Sequence, residues 1–285
     1  MNEWVLISYT VLLMITAAFI RGVILSFLTD HGVTENNYRN QRIPSSVGVL
    51  IWLTSLIALL LSSLWTIETR SFAQVVLSEY YKCFFLALTI VFILGWTDDL
   101  IGDRRIKGLR GHLRLWLRQG RATTGLLKAL GTSLISAWLV VETGLWQGGG
   151  LGLLPFLVMI LYTHALNLFD LRPGRAIKVF LLGTLSVTLL SIAPLDSFAL
   201  LAPVVAGALV LLPVDLRGEG MLGDTGANML GFTLGSVIAF HWPWFYQLMA
   251  VIWLTGLALL AERYSLTQLI ERTPLLNWLD RLGRE

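Results

Sequence analysis

Charge and cysteine are what this chain has least of. Charged residues make up 14% of its 285 positions, against 55% hydrophobic. A soluble domain is nearer a quarter charged, so the shortage excludes that class and points to a polytopic membrane protein. Mean hydropathy, +0.72, agrees. The single cysteine, Cys83, excludes an intrachain disulfide and a cysteine metal centre. Internal repeats, low-complexity tracts and a soluble domain are also missing. The first apolar run, 4–28, is too long for a signal-peptide core and has no small-residue cleavage site, so it reads as a retained helix.

A spanning helix needs roughly 17–25 mostly apolar residues. Runs that meet this lie at about 4–28, 45–66, 81–97, 127–146, 150–168, 176–193, 198–213, 226–242 and 244–262. The expected fold is therefore all-α: a transmembrane helical bundle of about nine spans, or ten if 66–80 or the first run hides a short one. Residues 1–265 form one membrane domain. Residues 266–285 form a cytoplasmic amphipathic segment carrying Leu266, Leu269, Ile270, Leu275, Leu276 and Leu279, interrupted at Pro274.

Nine alternating spans place 29–44, 98–126, 169–178, 214–225 and 263–285 on one side. With Lys128, that side holds 18 of the 21 lysines and arginines. Positive charge marks the cytoplasmic face, so the N-terminus is expected outside and the C-terminus inside.

The unusual polar residues all fall on that face: "GWTDDLIGD" (95–103), "HALNLFDLRPGRAIK" (164–178) and "GEGMLGDTGANMLG" (218–231). Carboxylates close to hydrocarbon are costly and usually functional. Asp98 and Asp99 end a helix, where the dipole disfavours acids, and as neighbours they repel unless a cation or shared proton relieves them. A magnesium-dependent phosphate site answers both problems, because Mg²⁺ binds through one or two carboxylates plus substrate phosphates.

Asp224 and Thr225 alone read equally as helix-start caps; level with the aspartate pair, Asp224 reads as a metal ligand. Asn167 and Asp170 share a helical face, as a ligand-binding pair or an interhelical hydrogen bond. Arg172 and Arg175 serve either membrane topology or bidentate phosphate recognition. The basic loop from Arg104 to Lys128, which includes Lys107, suits anionic headgroups or an anionic substrate. No nucleic-acid partner is expected. A transporter would place its polar groups near the midplane, whereas these spans are nearly free of charge except Arg21.

Taken in order, "GWTDDLIGD", "NLFD" and "MLGDTGANMLG" resemble the motifs of the polyprenyl-phosphate N-acetylhexosamine-1-phosphate transferases, glycosyltransferase family 4. That group includes the phospho-N-acetylmuramoyl-pentapeptide transferase of peptidoglycan synthesis. "RIPSSVGVL" (42–50) also lies where the family has its first cytoplasmic loop. The resemblance covers about residues 40 to 235. It implies Mg²⁺-dependent transfer of a sugar 1-phosphate from a UDP-sugar to undecaprenyl phosphate, releasing UMP, at the cytoplasmic face of a bacterial plasma membrane. It implies Asp224 as metal ligand and Asp98 and Asp99 as catalytic residues that orient or deprotonate the lipid phosphate and complete the metal site. Asn167, Asp170, Arg172, Arg175 and Lys107 become substrate-binding candidates, and a homodimer is allowed.

The chain departs from the family in the loop after Asp99, which is longer and more basic than expected, and at two further places. Pro173 stands where the loop has its second aspartate, and no histidine follows Glu262. The alternative is a degenerate member that binds polyprenyl phosphate or an envelope-assembly partner without catalysis.

Overall fold

The computed structural model describes residues 3–64, 79–102 and 108–284. The candidate tenth span at 66–80 falls almost wholly outside them. The chain is an all-α bundle with one short hairpin. Helix α1 (Glu3–Asp30) leads into strands β1 (Thr34–Asn36) and β2 (Arg42–Pro44), then α2 (Val49–Leu64), α3 (Glu79–Ile101) and α4 (Gly108–Gln119). Next come α5 (Thr124–Glu142), a 3-10 helix (Leu145–Gly152), α6 (Leu153–Phe169), α7 (Arg175–Leu190) and α8 (Pro194–Leu216). The chain closes with α9 (Gly223–His241), α10 (Trp244–Arg263), α11 (Leu266–Arg272) and α12 (Pro274–Arg281).

Each of the nine apolar runs holds a helix. Among the described residues, six are long and apolar enough to cross a membrane: Trp4–Asp30, Tyr80–Ile101, Thr124–Glu142, Gly150–Phe169, Pro194–Leu216 and Trp244–Arg263. Their burial sorts them. Only 17% of the apolar window of α1 and of α10 is buried, so those helices face outward, whereas 72% of α8 is buried inside the bundle.

The innermost helix, α9, is not among the six. Every residue from Thr225 to Ala239 is buried, packed by α6, α3, α7, α8 and α2. Small residues replace bulk apolar ones because neighbouring backbones come so close. A Cβ on Gly231 would lie 2.3 Å from the Tyr162 carbonyl oxygen, and one on Gly235 would lie 2.7 Å from the Met159 Cα. Methyl groups there would push α6 off α9.

The second run was expected to enter its span near residue 45, but α2 begins only at Val49. The intervening backbone is extended and pairs with the segment before α9. Met221 N donates to Pro44 O (2.9 Å), Val47 N to Met221 O (3.0 Å) and Gly48 N to Leu222 O (3.2 Å). The β1–β2 hairpin ties in as well, since Asn37 Nδ2 donates to Gly218 O at 3.0 Å. Two loops far apart in sequence thus form one platform at the end of the bundle where α3 terminates.

Candidate functional site

The site is assembled at the N-terminus of α9. Gly95 of α3 lets the two helices meet there: a Cβ on it would lie 2.7 Å from the Asp224 carbonyl oxygen. This contact brings Asp98 and Asp99, one turn further along α3, against the first turn of α9.

Asp99 caps that turn from outside the helix. Its Oδ1 accepts from Asp224 N (2.9 Å), and its Oδ2 accepts from Thr225 N (3.0 Å), Thr225 Oγ1 (2.5 Å) and Ser46 Oγ (2.9 Å). An α-helix leaves its first N–H groups without partners and carries partial positive charge there, so a carboxylate satisfies both needs. The acid at the unfavourable end of α3 is the acid at the favourable end of α9. No side chain of α9's own N-cap position, Leu222, does this work. Gly223 adopts φ +72°, and a Cβ on it would fall 2.5 Å from Asp99 Oδ2, so this position requires glycine on two counts.

Asp98 is held differently. Lys128, one turn into α5, donates its ammonium to Asp98 Oδ2 at 2.7 Å and also to Asp224 Oδ2. The Asp98 side chain further meets Asp224 and Thr124. The three side chains of this bridge are 14–28% exposed, recessed but reachable. Asp98, Asp99 and Asp224 oppose one ammonium, leaving two formal negative charges that a divalent cation or protons can relieve.

Asp170 completes the cluster. Its N–H donates to Asn167 O at 3.2 Å as α6 ends, and its carboxyl lies near enough to Asp224 and Asp99 to feel their charge. Burial, then the charges of Asp215, Asp224 and Asp99, push that carboxyl well above the ordinary carboxylate value. Asp215, at the end of α8, holds both site loops. Its carboxylate accepts from Gly174 N at 2.8 Å and from the backbone of Leu222.

The two arginines contact the C-terminal segment, to different degrees. Arg175 is buried at 3% exposure and gives its fork to Asp280, Nε to Oδ1 at 2.7 Å and Nη2 to Oδ2 at 2.9 Å, with Nη1 on Thr267 Oγ1 at 3.1 Å. The expectation that it reads a phosphate meets a guanidinium already engaged by the C-terminal segment. Arg172 is half exposed, with a 3.4 Å contact to Glu271. An exposed pair of that length is worth about 0–1 kcal/mol, so Arg172 is free to exchange partners. Lys107 lies outside the described residues.

The structure therefore gathers Asp98, Asp99, Asp170 and Asp224 and leaves Arg175 out. Magnesium fits in a limited form. Asp98 and Asp224 offer the one or two carboxylates that Mg²⁺ commonly takes from protein, the rest coming from phosphate and water. Asp99 is fully engaged as a cap. Among the described residues no group of three His, Cys, Asp or Glu side chains forms a ready metal cage.

Sequence reasoning took Lys128 only as the end of the basic loop and passed over Ser46, Asp215 and Asp280. Lys128 did leave an ambiguous signal: it is the one cation inside the helix 124–142, but one turn from its start on the face expected to be cytoplasmic, where charge serves topology as readily as function. Compared with known proteins, the chain matches no family model and no curated protein.

Proposed function

We propose that the chain is a sugar-1-phosphate transferase of a bacterial plasma membrane, with nine spans, N-terminus outside and the site facing the cytoplasm. The reaction joins polyprenyl phosphate to a UDP-sugar: an oxygen of the lipid phosphate attacks the sugar-bearing phosphorus, the diphosphate bridge breaks, and UMP leaves. The observation that supports this reading is the bridging of Asp98 and Asp224 by Lys128, three side chains from three separate helices, with the Asp170 carboxyl near enough to Asp224 to feel its charge.

Roles follow from position. Asp98, already paired to Lys128, aligns the lipid phosphate and accepts its proton where one is present. Lys128 offers the ammonium that offsets charge growing on the departing UMP. Asp99 keeps the first turn of α9 in place and so fixes the Asp224 carboxylate. Arg172 and Asn167, beside Asp170, meet the donor. Mg²⁺, held by Asp224 with Asp98, would neutralise the diphosphate and so lower the barrier to its cleavage.

A second reading, binding of polyprenyl phosphate without turnover, is favoured by Pro173 in the loop and by the engagement of Arg175 with Asp280. One assay separates the two. Purified protein is given undecaprenyl phosphate, Mg²⁺ and a panel of UDP-sugars, and UMP is measured. Release with at least one sugar supports the transferase; lipid binding without UMP from any donor refutes it in favour of the second reading.

A further inference from the structure

The C-terminal helices present an unusual face. Leu275, Trp278 and Leu282 are spaced three and four apart, so they share one side of α12 and its end. They are 66%, 60% and 53% exposed. Asp280, on the other side, is buried against the protein. A helix docked on a soluble core does the reverse, burying its apolar stripe and leaving its acids outside.

What docks α12 is polar throughout. Asp280 receives the forks of Arg175 and of Arg284, the latter at 2.7 and 2.9 Å. Arg284 Nε donates to Pro173 O at 2.7 Å. Lys178 Nζ donates to the carbonyls of Leu279 (3.0 Å), Asp280 (2.6 Å) and Leu282 (3.1 Å), closing the C-terminal end of the helix.

We infer that α11 and α12 are a membrane-surface element, with the Leu275–Trp278–Leu282 face seated in the headgroup and acyl boundary of the bilayer that the bundle crosses. Three observations select lipid as the occupant. Only Tyr264 and Ser265 separate the outward-facing helix α10 from α11, so the segment starts at the membrane surface. Lys178, in the first turn of α7, holds three carbonyls at the end of α12, so the element lies level with the start of that helix. Finally, Arg263, Arg272 and Arg281 are exposed around the apolar face, the arrangement that anionic headgroups attract. The element also touches the edge of the site, because Pro173 lies in the loop that follows Asp170 and Arg175 opens α7 directly after it. This inference does not rest on the transferase reading.

The test uses the full chain, one copy per lipid nanodisc of mixed neutral and anionic lipid, with Cys83→Ser as background. Nitroxide labels are placed through Leu275→Cys, Trp278→Cys, Leu282→Cys and, as the contrasting position, Arg281→Cys. Collisions with oxygen, which concentrates in lipid, are compared with those of a water-soluble nickel chelate. Oxygen should dominate severalfold at the first three positions and nickel at Arg281→Cys. Nickel dominance at all four would overturn the inference by placing the face in water. Exclusion of both reagents at the apolar positions would overturn it too, because protein would then cover them.

Discussion

Replacing Lys128 with methionine keeps the length of the stem and removes the ammonium that bridges Asp98 and Asp224. The two carboxyls then face each other, with Asp99 beside them. Removing one partner of a fully buried ion pair costs about 3–5 kcal/mol, while an exposed pair is worth about 0–1 kcal/mol. Here the partners are 14% and 28% exposed, nearer the buried limit, so a loss of about 2–3 kcal/mol is expected. At roughly 2 °C per kcal/mol for a chain of this size, thermal unfolding in nanodiscs at neutral pH should fall by about 4–6 °C. Two further measurements identify the cause. Asp224→Asn added to Lys128→Met should recover part of the loss, since it removes the uncompensated charge, and the pair should be clearly non-additive. Magnesium should stabilise the Lys128→Met protein more than the parent. At about 10 mM, a site with a dissociation constant near 1 mM would return about 1.4 kcal/mol. A variant that melts within a degree of the parent, with no response to either change, would refute the bridge as the organiser of this cluster.

On the transferase reading, Asp224→Asn should abolish UMP release without changing the melting temperature by more than the lost bridge explains, and Asp98→Asn should cost at least about 10²-fold; near-parental turnover in either refutes its role. Asp170 supplies a pH prediction. A carboxyl raised by burial and by neighbouring acids destabilises the fold increasingly as pH climbs from its unfolded value, about 3.9, toward its raised one. Asp170→Asn should therefore flatten the fall in melting temperature across that window, and an unchanged slope would contradict the placement. Arg175→Lys keeps the charge but loses the fork to Asp280, so trypsin should cut after Arg272 and Arg281 faster than in the parent, and equal rates would mean that the clamp is unimportant. That clamp should not loosen on mild acidification. Burial alone would raise the Asp280 carboxyl, but Arg175 and Arg284 bring it down to about 2, so its contribution is complete above about 3.9 and is lost only as pH falls toward 2.

Much of the helix layout was legible because lipid-facing helices must be almost continuously apolar, as α1 and α10 are; α8 is enclosed yet equally apolar. The helix hardest to read by that rule, α9, is the most enclosed. It faces other helices, so Gly231, Gly235, Thr233 and Ser236 take positions where an outer helix would carry leucine. The acids of the site could be picked out because an aspartate at a helix C-terminus contradicts local electrostatics and so invites explanation. Their division of labour could not. Asp99 finds its partners more than a hundred residues away on α9, and Lys128 sits where positive charge is equally expected for topology. The partner of Arg175 was out of reach for the same reason: Asp280 lies 105 residues downstream with no local pattern joining them.

The composition of α9 has a consequence for how the protein is made. A segment bearing Asp224, Asn228, Ser236 and repeated glycines partitions weakly from the translocon into bare lipid. The five helices that enclose it, α2, α3, α6, α7 and α8, all precede it in the chain. By the time ribosome output reaches residue 223, a slot lined by protein rather than hydrocarbon has already been synthesised, and Asp99 is waiting at its mouth to receive the entering amides. Synthesis order thus supports what the apolar run 226–242 does less well alone, and a circular permutation that moved α9 ahead of its neighbours is expected to lower the yield of inserted protein.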